Sequence, residues 1–193
     1  MKKSVLIIVV TFFFTVSFIS AEQNVLATGI HFNNQFPIGK AAEYTNFTFG
    51  LGWDTWFFFP DFLPEGNRAG IFTDIQWQII NSPLKEVSFV YSTEFTAGLF
   101  YRYTFKNSGF SLQPGIGYGA ALHYLDSKKE YSFFPSGLYV DQLIEFSVSF
   151  VYSGTKEGKH SFELAVTPVY TLMPEYKNFF QLLGLRAGCM YKI

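Results

Sequence analysis

The sequence predicts an all-β fold, an eight-stranded antiparallel up-and-down β-barrel that spans a membrane. Three observations predict it. Bulky apolar side chains alternate with small or polar ones over stretches of about ten residues, the length and pattern of a strand crossing a bilayer on a tilted path. The 193-residue chain is 21 % aromatic but only 15 % charged, against about 25 % charged in soluble domains. Beyond residue 21 no run of about 18 apolar residues exists to form a spanning helix. The apolar content must therefore be spread over strands.

The first 21 residues read as a secretory signal. Lys2 and Lys3 precede an apolar core from Val5 to Phe18, and Ser17, Ser20 and Ala21 are small residues near a cleavage point. That core is shorter than the roughly 20 residues of a membrane anchor. Residues 22–193 then form one barrel domain. The net charge of −1 becomes more acidic without Lys2 and Lys3, so no nucleic-acid partner is expected. Cys189, the single cysteine, cannot form an internal disulfide.

Eight strands are expected in order. The first, Asn24 to Asn33, is the least regular. The second, Tyr44 to Asp54, sets Phe47, Phe49, Leu51 and Trp53 against Thr48, Gly50, Gly52 and Asp54. The third, Gly70 to Ile80, sets Ile71, Ile75, Trp77 and Ile79 against Asp74, Gln76 and Gln78. The fourth, Phe95 to Phe105, is the clearest: Phe95, Ala97, Leu99, Tyr101, Tyr103 and Phe105 face one way, and Glu94, Thr96, Gly98, Phe100, Arg102 and Thr104 the other. Lys106 to Gly109 is a turn, so the fifth strand, around Gly115 to Tyr124, forms a hairpin with the fourth. The sixth runs from Leu138 to Tyr152, the seventh from Phe162 to Leu172, and the eighth through Leu183 to the C-terminus. Pro114 and Pro168 fall inside strands five and seven and count mildly against these boundaries, because proline donates no ladder hydrogen bond.

Alternation also fits a soluble barrel with its apolar face inward. Volume decides between the two. The interior of an eight-stranded barrel just fits its own side chains or one small ligand. Four or five large residues per strand would overfill it, whereas the glycine-, serine- and threonine-rich set fits. The bulky set therefore faces outward, which is tolerable only in lipid. Two aromatic girdles are expected, Trp77, Tyr124 and Tyr170 at one set of strand ends and Trp53, Tyr103, Tyr152 and Tyr191 at the other. An even strand number puts both termini on the periplasmic side. Loops at 34–43, 80–93, 125–137 and 173–178 then face outward, and turns at 55–69, 106–109 and 153–159 inward. The 55–69 turn, with Trp56-Phe57-Phe58-Phe59-Pro60, marks either a longer second strand or a segment on the membrane surface.

In this architecture the chain resembles the small outer-membrane barrels of diderm bacteria, the eight-stranded OmpA, OmpX and OmpW class. The resemblance covers the mature chain and rests on signal, strand number and the final amphipathic strand rather than on a motif. It implies export to the outer membrane, outer-membrane lipid as surroundings and the barrel-assembly machinery as a partner in biogenesis. That machinery typically reads a terminal aromatic residue, where this chain has Ile193 with Tyr191 two positions before it.

The inward face is expected to carry a polar network of Asp54, Asp74, Glu94, Arg102, Glu145, Glu163, Arg186 and Lys192, with Asp141 and His123 near it. Charges in so narrow a space must be paired or hydrated. Arg102, Glu145 and Arg186 are expected at similar depth. The leading function is a closed or nearly closed barrel with a structural or surface-interaction role. The alternatives are a narrow pore for small or apolar solutes, resembling the OmpW type, and a lipid-modifying enzyme. The chain lacks the His-x-Ser pair of the lipid A deacylases: His31, His123 and His160 have no serine two residues on. His123 with Asp126, Ser127 and Asp141 is a generic cluster. No enzyme activity, cofactor or metal site is expected. The 125–137 loop, with Asp126, Lys128, Lys129, Glu130, Tyr131, Phe133 and Phe134, offers charged and aromatic residues to a surface ligand.

Overall fold

Each stretch of strict alternation forms a strand, because only a closed sheet satisfies every backbone group while one whole face is apolar. The computed structural model describes residues 26–60, 63–64, 66–83, 87–127, 136–154, 161–175 and 178–192. The expected signal segment 1–21 lies outside these, as do most of the expected 125–137 loop and 153–159 turn. Eight strands follow in order: β1 (Leu26–Ile38), β2 (Thr48–Phe58), β3 (Asn67–Ile80), β4 (Val87–Thr104), β5 (Phe110–Ser127), β6 (Gly137–Ser153), β7 (Ser161–Glu175) and β8 (Asn178–Lys192). A single helical turn, α1 (Ala41–Tyr44), lies between β1 and β2. Every neighbouring pair is antiparallel, and β1 pairs with β8 to close the barrel.

The β2–β3, β4–β5 and β6–β7 connections share one end of the barrel with Leu26 and Lys192. This is the turn end; the other is the loop end. Following paired residues from Asn33 in β1 leads to Gly50, Gln78, Ser92, His123 and Tyr139. Asn33 is in mid-strand, whereas Tyr139 is near the loop end of β6. The strands therefore slant across the barrel, as closure requires.

Most strands run longer than the alternation suggested. β1 reaches Ile38, β4 begins at Val87, and β7 and β8 run to Glu175 and from Asn178. The expected 80–93 and 173–178 loops are correspondingly short. The aromatic 55–69 segment resolves in favour of a longer second strand, since β2 continues to Phe58. The two prolines fit because each interrupts one ladder only. Opposite Pro114 the β4–β5 pairing skips from Phe100↔Gly115 to Tyr103↔Leu112, while Pro114↔Val148 holds on the β6 side. At Pro168 the β6–β7 pairing skips from Ser147↔Val169 to Phe150↔Val166, while Pro168↔Leu185 holds on the β8 side. In an antiparallel strand one residue's N–H and C=O point to the same neighbour, so a missing donor costs bonds on that side alone.

The outer surface is apolar. Ile30, Phe32, Leu51, Leu99, Ile116, Phe146, Leu164 and Leu185 are exposed, and Leu138 and Phe162 reach 65 % and 64 %. At the turn end, aromatic rings in edge-on and tilted contact form a belt. Tyr103 and Phe105 lie 5.1 Å apart, Phe110 and Tyr152 4.9 Å, and Phe162 and Tyr191 5.1 Å. Trp77 and Tyr124 face outward near the loop ends of their strands. Two expected girdle residues are placed differently. Trp53 pairs with Ile30 and Ile75 in the middle of β2, because that strand runs five residues further. Tyr170 also lies in mid-strand, paired with Phe146 and Leu183, and its hydroxyl donates to Gln181 Oε1 at 3.0 Å.

Candidate functional site

The candidate site is the barrel interior, which is built in layers. Asp54, Asp74, Glu94, Arg102, Glu145, Glu163 and Arg186 all point inward, and all but the partly buried Asp54 are buried. Lys192 is inward at the turn-end rim, its Nζ 5.6 Å from the centre of the Phe58 ring.

The central layer is polar. Arg186 binds Glu145 through two parallel bonds, Nη1 to Oε1 at 2.9 Å and Nη2 to Oε2 at 2.6 Å. The planar guanidinium matches a carboxylate in this fork. Its Nη2 also lies 3.1 Å from Asp74 Oδ2. Glu94 Oε2 accepts from Gln76 Nε2 at 2.7 Å and from Gln35 Nε2 at 3.4 Å, and Asn33 Nδ2 donates to Gln76 Oε1 at 2.7 Å. His31 stands beside Asp54 and Asp74. Its Nδ1 is 3.1 Å from Asp54 Oδ2 and its Nε2 3.7 Å from Asp74 Oδ1. The ring lies against Gly52, where an added Cβ would meet Nε2 and Cε1.

Arg102 belongs to a separate cluster nearer the turn end, not to the depth of Arg186. Its Nη1 donates to both oxygens of Glu163 at 2.9 Å, and its Nε to Gln113 Oε1 at 2.7 Å. Ser153 Oγ donates to Glu163 Oε1 at 3.0 Å. The Arg102 guanidinium also lies 4.9 Å from the Trp56 ring centre and 4.7 Å from that of Phe58. The aromatic faces attract the cation, as the carboxylate does.

Apolar layers flank the polar centre, and the sequence reading did not anticipate them. At the turn end Ala27, Trp56, Phe58, Phe72, Phe100, Val151, Ala165 and Met190 pack into one buried cluster. At the loop end Ala41 of α1, Ala121, Leu143, Met173 and Leu182 form a second, with Phe180 against it, and Ile80 packs on Val90 and Leu125. Strand parity carried the signal. Trp56 and Phe58 continue the inward series Gly50, Gly52, Asp54, and Phe100 falls between Glu94 and Arg102 on the inward side of β4. Between layers, a cavity of about 20 Å³ lined by Asp54, Glu145, Arg186, Ser147, Ser149 and Thr167 has room for about one water molecule.

Near the loop end His123 Nε2 lies 3.4 Å from Asp141 Oδ2. The side chain of Ser127, the serine of the generic cluster, falls outside the described residues. So does His160.

No protein-family model and no curated protein matches the chain. Solved structures do. The chain is similar to the outer membrane protein OprG from Pseudomonas aeruginosa, with a TM-score of 0.57 at 15 % identity over 87 % of this chain and 95 % of that one. The chain has the eight-stranded fold of OprG. Neisserial surface protein A matches at 6 % identity and a TM-score of 0.49, covering 87 % of this chain and 96 % of that one. Ail, the attachment invasion locus protein of Yersinia pestis, matches at 12 % identity and 0.48, with the same coverages.

Proposed function

We propose that this chain is an integral outer-membrane barrel, closed along its axis, with a structural or surface-interaction role. The observation that carries this reading is the filled interior. Among the described residues, two ion-paired clusters and two apolar layers fill the cross-section, and the cavity between them holds about 20 Å³, where conduction needs a continuous bore. The exposed apolar belt supports a lipid environment, since a soluble monomer rarely exposes apolar patches beyond a few hundred Å². The fold shared with OprG, an outer membrane protein, supports that membrane in particular. In this reading residues 1–21 direct export, the assembly machinery inserts the barrel, and the 125–137 loop presents the surface that meets a ligand. No catalytic role is proposed.

The test is electrophoresis and conductance together. The refolded protein should run faster unboiled than boiled, because a closed barrel resists unfolding in detergent, and it should leave planar bilayers silent. Steady single-channel currents from the unboiled form would replace the closed barrel with the pore reading. A single band of unchanged mobility would remove the barrel itself.

A further inference from the structure

We propose that His31, Asp54 and Asp74 form a site for one divalent transition-metal cation inside the barrel. The proposal rests on the barrel fold and not on its surface role.

Asp54 and Asp74 are direct cross-strand partners on the inward face of β2 and β3. Like charges directly opposite each other destabilise a sheet, and more so in an interior of low dielectric. A cation placed between them would relieve that repulsion. Arg186 is already committed: two bonds go to Glu145, and one nitrogen reaches only Asp74 Oδ2. The central layer thus holds four carboxylates, Asp54, Asp74, Glu94 and Glu145, around one guanidinium. Glu94 is met by the amides of Gln35 and Gln76, which carry no charge.

His31 is buried, and neither ring nitrogen makes a hydrogen bond; of the Asp74 oxygens Oδ2 faces Arg186 at 3.1 Å, while Oδ1 makes no hydrogen bond. A buried imidazole and carboxylate are ordinarily hydrogen-bonded. Here they face each other in the right numbers for a ligand. One donor atom from each of His31, Asp54 and Asp74 lies within 4.8 Å of the others. Nitrogen and oxygen ligands sit about 2.0–2.2 Å from zinc, so two donors on one ion stand roughly 3–4 Å apart. His31 Nε2 and Asp74 Oδ1, at 3.7 Å, already do. Asp54, the least buried of the three, lines the water-sized cavity and completes the set by rotating its carboxyl. Gly52 leaves the space the imidazole occupies. One imidazole and two carboxylates suit a borderline cation such as Zn²⁺ or Co²⁺ better than Ca²⁺, which takes oxygen ligands alone. The adjoining cavity offers the water that fills an open position.

The experiment uses the untagged full-length barrel, refolded in detergent, stripped with chelator and titrated with Co²⁺. The expected result is one Co²⁺ per chain with visible absorption bands, displaced by Zn²⁺. His31→Gln and Asp54→Asn should each weaken binding at least tenfold, whereas His123→Gln should bind as the wild type does. The faster unboiled gel band certifies folding for each variant. If His31→Gln fails to fold, Asp54→Asn decides alone. A folded wild-type barrel that binds no Co²⁺ would overturn the proposal. Equal binding by wild type and either site variant would overturn it too. Because the unboiled band is read independently, failure here is distinct from failure of the barrel.

Discussion

At the scale of single residues, the interior is governed by pairing. Glu163 is buried with both oxygens on Arg102. Glu163→Ala strands that guanidinium in the turn-end cluster and should cost about 3–5 kcal/mol, the usual penalty for breaking a buried pair. Urea unfolding in micelles measures this. Arg102→Met combined with Glu163→Met should recover most of the loss, because the pair's net worth is smaller than the cost of halving it. Arg186→Ala leaves Glu145 and Asp74 without their guanidinium and should lose stability in the same range. A loss below about 1 kcal/mol would mean that water, and not Arg186, satisfies those carboxylates. These inward charges were legible from parity alone, since each falls on the small or polar side of its strand. Their partners were not. Arg102 meets Glu163 across the interior, 61 positions along the chain, and no local pattern records such a contact. His31 escaped notice for a related reason: it sits in β1, whose inward series Gly29, His31, Asn33, Gln35 reads as irregular until β2 and β8 are in place.

At the scale of elements, the two faces of each strand obey different solvents. Leu99 lies on the outer face of β4 between Tyr91 and the turn-end belt at Tyr103. Leu99→Arg should cost about 2–4 kcal/mol, the penalty near a bilayer midplane, whereas Phe110→Arg, in the belt itself, should cost about 0–1 kcal/mol. Unfolding titrations in lipid vesicles compare the two. Equal costs would mean that no hydrocarbon slab surrounds the barrel. Strand existence and facing were legible because a period of two survives in each segment. Strand ends were less so. Beyond Asp54 the longer strand stays one of two readings, because Trp56 and Phe58 break the small-or-polar rule for inward residues although they keep its parity. The rule fails where the interior needs an apolar layer beneath a guanidinium.

At the scale of the whole molecule, the last strand, β8 (Asn178–Lys192), supplies partners to both β7 and β1. Removing residues 178–192 should abolish the fast-migrating unboiled band and leave the rest of the chain degraded or aggregated, as seen by electrophoresis after refolding into micelles. A retained fast band would mean that seven strands suffice. Closure of this kind also sets an order of events. β1 cannot gain its second neighbour until β8 leaves the ribosome, and six strands lie between them. Sealing is thereby postponed until β8 has been made. In that interval the outer edge of β1 has no neighbour, and sealing the ring becomes an all-or-none step.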